Sequence, residues 1–170
     1  MAKEPLKDLT WQGIPMERWE AGQDYLRALR GLEFEPDAML WVRHLATEEF
    51  MLAIVTPTVD RVGPAEIYDA LFLAYERAGT PASIDPWIVT VFSPSSFFRK
   101  DVEAYLQMNI RATGQGGAEV SHEVLLALGN DYEFRASWVY VASKASARAE
   151  SKVEVRKWAR FKENLEKLAA

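Results

Sequence analysis

Ala38-Met39-Leu40-Trp41-Val42-Arg43-His44-Leu45, then Ala46-Thr47-Glu48-Glu49, then Phe50-Met51-Leu52-Ala53-Ile54-Val55-Thr56, is the stretch that decides the fold. Two apolar, strand-length runs flank a polar segment too short for a crossover. The runs must therefore lie side by side and antiparallel. Pro57 ends the second strand, because proline cannot donate to a ladder.

Upstream, Pro15 suits the first turn of a helix running to about Arg30 and closed by Gly31. Trp19, Leu26 and Leu29 form its expected buried stripe, with Tyr25 beside it. Residues 1–14 read as an arm, and Trp11 is large enough to pin that arm to the body or to another subunit.

Downstream, Gly63-Pro64 opens a helix to about Ala78, with Gly79 as its stop. Ile67, Tyr68, Leu71, Phe72 and Tyr75 recur at helical spacing. Trp87–Phe92 is nearly all apolar, as a central, doubly covered strand would be. Ser93-Pro94-Ser95-Ser96 breaks the chain before a helix to about Thr113, and Gly114-Gln115-Gly116-Gly117 ends that helix. Glu119–Leu128 fits either a strand or a short helix. It is read as a strand because Gly129-Asn130-Asp131 is a turn signal and Tyr132–Ala142 alternates like a hairpin partner. Lys144–Leu168, rich in Ala, Glu, Lys and Arg, is a long final helix.

The expected architecture is one α+β domain over residues 1–170. An antiparallel or mixed sheet of about five strands carries about four helices, mainly on one face, with the long helix C-terminal.

Composition agrees with a packed domain: 170 residues, 49% apolar and 26% charged. Cysteine is absent, which excludes disulfides, thiol catalysis and thiolate-bound metals. The first residues lack the charged and then apolar pattern of a secretory signal, and no apolar run approaches membrane-spanning length. A soluble, cytoplasmic protein without membrane contact is expected. The net charge of −5 is uneven. Lys144–Ala170 holds eight basic and four acidic side chains, against twelve and twenty-one in the rest. An acidic body is a poor general nucleic-acid surface.

Chemical motifs are sparse. The chain has no G-x-G-x-x-G, no G-x-x-x-x-G-K-[ST], no H-E-x-x-H and no G-x-S-x-G. The two histidines, His44 and His122, are the weak candidates for proton transfer. Ser121-His122-Glu123 does not form a triad by adjacency, since on a strand His122 points away from its neighbours. No metal ligand set and no cofactor are expected. The strand-to-helix turn at Ser93–Lys100 is the best candidate for a small anionic ligand. Ser95 and Ser96 would orient the anion with the backbone amides, and Arg99 and Lys100 would neutralise it. The competing reading is an ordinary helix cap.

The final helix offers a different surface. Trp158, Phe161, Leu165 and Leu168 follow a three–four–three spacing and form an apolar seam. Lys144, Arg148, Lys152, Arg156 and Arg160 form a basic stripe. Acidic neighbours within the helix weigh against a nucleic-acid role. The first functional expectation is therefore a non-catalytic binding or assembly module that meets a protein partner or forms a homo-oligomer through that seam. The alternative is a small-molecule enzyme or sensor holding an anion at Ser93–Lys100.

Overall fold

The computed structural model describes residues 10–97, 126–142 and 151–168. The fold is α+β, with a mixed sheet of six strands. A short antiparallel pair, β1 (Thr10–Trp11) and β2 (Ile14–Pro15), leads into helix α1 (Met16–Gly31). Strands β3 (Ala38–His44) and β4 (Phe50–Val55) form the expected hairpin, in register from Ala38↔Val55 to Arg43↔Phe50. Helix α2 (Thr58–Glu76) crosses over to β5 (Val89–Phe92), which lies parallel to β4. Helix α3 is described over Pro94–Phe97. Strands β6 (Leu126–Leu128), β7 (Tyr132–Phe134) and β8 (Val139–Ala142) complete the sheet, and α4 (Ser151–Lys167) ends the described chain.

The sheet order is β5-β4-β3-β7-β6, with β8 also paired to β3. Strand β3 is the hub. From Ala38 to Val42 it is covered on both faces, every residue being fully buried. That explains its unbroken apolar run. Helix α1 lies on the face that carries Trp41. The Trp19 ring stacks on Tyr140 with centroids 4.2 Å apart. Trp41 Nε1 donates to the Tyr140 hydroxyl (2.7 Å), which donates to the Trp19 carbonyl (2.7 Å). Gly22 admits the Tyr140 ring, since a Cβ there would lie on the hydroxyl and 2.7 Å from Cε2.

Neither helix end named from glycine has the glycine as its left-handed residue. Helix α1 closes with Glu33 in the left-handed region (φ 64°), where Glu33 N bonds Arg30 O and Phe34 N bonds Leu29 O. Helix α2 closes the same way on Ala78 (φ 55°), with Ala78 N on Tyr75 O and Gly79 N on Ala74 O. The helix read as opening at Gly63-Pro64 begins earlier, at Thr58, and Gly63 (φ 81°) kinks it just before Pro64.

Two expectations about strands are corrected. Among the described residues, Trp87–Phe92 is not a central strand. Pro86–Ile88 is a 3₁₀ turn, and β5 sits at the end of the described sheet order. Its apolar composition reflects cover from α2 rather than strands on both sides. Tyr132–Ala142 is not one strand either. A 3₁₀ turn at Ala136–Trp138 splits it, and the ladder on β3 shifts register between Met39 and Leu40. The turn buries Trp138, whose Nε1 donates to Gln12 O (2.9 Å). The N-terminal segment is thereby tied to the body.

The helix expected over residues 98–113, the glycine run 114–117, and the first parts of the segments at 119–128 and 144–168 lie outside the described residues, as do residues 1–9. No helix among the described residues is long and apolar enough to cross a membrane.

Candidate functional site

Two parallel strands, β4 and β5, end side by side, and the polar residues that follow them meet there. Thr56 N donates to Phe92 O (3.0 Å), extending the ladder one step beyond β4. Ser93 Oγ then donates to Asp60 Oδ2 (2.7 Å) and lies 2.8 Å from Ser95 Oγ. Ser95 N donates to Ser93 Oγ (3.2 Å), and Ser96 Oγ donates to Ser93 O (2.8 Å). Ser96 N and Phe97 N also point to Ser93 O, at 3.1 and 3.0 Å. The carboxyl ends of parallel strands are where α/β sheets commonly place ligands. Here the hydroxyls and amides expected to receive an anion bond to Ser93, whose own hydroxyl donates to the Asp60 carboxylate. Ser95 and Ser96 both bond to Ser93, in a cap that ties α3 to the start of α2. Arg99 and Lys100 lie outside the described residues.

His44 sits at the end of β3. Its Nδ1 accepts from Ala46 N (3.2 Å) and Thr47 N (3.3 Å), and its ring meets Tyr132 edge-on at 5.2 Å. One ring nitrogen of His44 therefore braces the hairpin turn. These bonds assign the proton to Nε2. His122 lies outside the described residues, so no arrangement of the two imidazoles is described. Among the described residues, no group of three His, Asp or Glu side chains is placed to hold a metal ion. The Tyr25 hydroxyl is buried without a hydrogen-bond partner among them, and burial pushes its pKa far up, so it stays neutral.

The seam on α4 is covered by the chain itself. Trp158, Phe161 and Leu165 are buried, with Phe34 at 5.0 Å from the Phe161 ring and 6.3 Å from Trp158. Leu168 is half exposed, at 39%. Glu66 on α2 accepts from Trp158 Nε1 and Lys162 Nζ, both at 2.9 Å. Arg77 donates to Leu165 O (2.7 Å) near the end of α4, and Asn164 Nδ2 donates to Leu32 O (3.1 Å). Each large apolar side chain buried here contributes about 1.5–3 kcal/mol. Trp158, Phe161 and Leu165, expected at an interface, are core residues in this chain, because the α1–β3 connection and α2 form the groove that receives them.

The exposed aromatic surface lies elsewhere. Trp87 is 78% exposed, the largest exposure among the big apolar side chains of the described residues. It stands on the 3₁₀ turn before β5, where Asp85 Oδ1 accepts from Trp87 N (2.9 Å) and the Phe72 ring packs edge-on at 5.0 Å. Sequence reasoning placed Trp87 in a strand core. The signal that could have found it is Asp85-Pro86, a capping residue followed by a proline at the first position of a turn.

No family model, curated protein or solved structure matches this chain.

Proposed function

We propose that this chain is a non-catalytic binding and assembly module of the cytoplasm whose contact surface centres on Trp87. The observation that supports this reading is a large indole held in water by a rigid support. Pro86 and the Asp85 cap fix the backbone of the turn that carries Trp87, and the Phe72 ring packs edge-on against the indole. A fixed aromatic loses little side-chain freedom when a partner covers it, and tryptophan is the residue most enriched among the anchors of interfaces. The groups best suited to chemistry are occupied with structure: His44 braces a turn, and Asp60, Ser93, Ser95 and Ser96 bond one another.

Sedimentation velocity on the full chain and on Trp87→Ala tests the reading. The wild type is expected to associate with itself. Trp87→Ala is expected to sediment as a monomer with an unchanged far-UV circular dichroism spectrum, because an exposed indole supports little of the fold. A monomeric wild type, or an assembly indifferent to Trp87→Ala, removes it.

A further inference from the structure

We propose that the partner of the Trp87 surface is a second copy of this chain, which lays the basic outer face of α4 on the Asp69–Phe72–Glu76 stripe of α2. The proposal rests on the assembly reading and names its partner.

The stripe comes from spacing. Asp69, Phe72 and Glu76 are three and four residues apart, so they share one face of α2. That face is turned away from Ile67, Leu71 and Ala74, which enter the core. Asp69 and Glu76 are exposed and have no ion-pair partner among the described residues. Phe72 between them supports Trp87. The result is an aromatic centre with a carboxylate on each side.

Helix α4 carries the complement. Lys152, Arg156 and Arg160 are four residues apart, exposed, and on the side opposite Trp158, Phe161 and Leu165. They have no ion-pair partner among the described residues. The other lysines of this helix are engaged: Lys157 with Glu154, Lys162 with Glu66, and Lys167 with Glu163. Val153 and Val155 beside the stripe are 42% and 48% exposed, an apolar component that a purely solvated face would not need.

The dimensions agree. At 1.5 Å per residue, Asp69 and Glu76 stand about 10.5 Å apart along α2, and Lys152 and Arg160 about 12 Å apart along α4. The outer cations can reach the two carboxylates while Arg156 lies over the Phe72 and Trp87 rings, a cation–π arrangement. Within one chain the two stripes cannot meet. Helices α2 and α4 already touch along other faces, through Glu66 with Trp158 and Lys162, and through Arg77 with Leu165. Because α2 and α4 are neighbours, a two-fold axis can set each copy's α4 on the other's α2, giving a closed, self-complementary dimer. The division of the chain into an acidic body and a basic C-terminal segment favours the same encounter.

The test is charge reversal on the full chain, read by sedimentation velocity at low salt. Arg156→Glu with Arg160→Glu, and separately Asp69→Lys with Glu76→Lys, should each weaken the dimer at least about tenfold. An equimolar mixture of the two reversed variants should sediment as a dimer again, because the swapped charges attract across both halves of the interface. Reversed variants that remain dimeric, or a mixture that remains monomeric, overturn the proposal. If Trp87→Ala dissociates the protein while the reversals do not, the assembly reading stands and this partner assignment fails. Should a reversed variant melt early, Arg156→Ala with Arg160→Ala replaces it. Its association must then lose most of the wild type's salt dependence, and an unaltered dependence overturns the proposal.

Discussion

The Tyr68 hydroxyl donates to the Val89 carbonyl at 3.0 Å, so a side chain of α2 fastens the outward edge of β5. The ladder with β4 turns the backbone groups of Thr90 and Phe92 inward, as the bond from Thr56 N to Phe92 O requires. Val89 and Val91 therefore direct theirs away from β4. Burial raises the Tyr68 pKa, and hydrogen bonds with the Thr90 side chain and the Val91 backbone offset part of that rise. The hydroxyl thus satisfies the outward carbonyl of Val89, on the side of β5 that no described strand pairs, which is a way of blunting a strand edge. Tyr68→Phe should cost about 1 kcal/mol in denaturant unfolding, the net worth of one such bond. It should also raise the rate of aggregation on heating, measured by light scattering. An unchanged midpoint would remove this role.

Ala78 occupies the left-handed position that ends α2, and there a Cβ costs about 1 kcal/mol. Ala78→Gly should therefore stabilise the fold by up to that amount and raise the melting temperature by several degrees, roughly 2–5 °C. Gly79 beside it should not tolerate the reverse change as well. A Cβ there would collide with Leu168 Cδ1 and lie 3.3 Å from Ala74 O. Scanning calorimetry on the two variants should give opposite signs.

Gly22→Ala should be among the most damaging single changes in the chain. The Tyr140 ring cannot retreat from the new methyl without abandoning Trp41 Nε1 and the Trp19 carbonyl. Overpacking of this kind costs about 1–3 kcal/mol. Urea unfolding followed by tryptophan fluorescence should show the shift, and near-UV dichroism should report a loosened Trp19–Tyr140 stack.

Acid should weaken the docking of α4. Hydrogen bonds from Trp158 and Lys162 hold the Glu66 pKa below its ordinary value of 4.5. A carboxyl depressed by folding stabilises fully above its unfolded pKa, and that contribution is lost as pH falls through the lower, folded value. The melting temperature of the wild type should therefore fall below about pH 4.5 by more than that of Glu66→Gln. Equal acid dependence of the two proteins would show that Glu66 contributes nothing measurable.

Much of the framework was legible from residue order. The hairpin of β3 and β4 and the start of α1 after Pro15 followed from local rules. Each depends on the backbone habits of a few adjacent residues, whereas α2 begins at Thr58, ahead of the Gly63-Pro64 start read from the sequence. The candidate site was less so. Ser95 and Ser96 bond to Ser93, and the carboxylate that Ser93 meets, Asp60, lies more than thirty positions away in the sequence.

The residues by themselves determined the β3–β4 hairpin, helix α1 and that α4 would have one apolar side. Periodicity is written in the chain, and burying an apolar stripe is favourable wherever it finds cover. Only the tertiary structure decided what provides that cover. Phe34 and α2 supply a groove that turns Trp158, Phe161 and Leu165 into core. The 3₁₀ turn at Pro86–Ile88 leaves Trp87 in solvent. Apolar character states that a side chain gains by leaving water. Which apolar surface it meets depends on contacts between residues far apart in sequence, and those exist only once the chain has closed on itself.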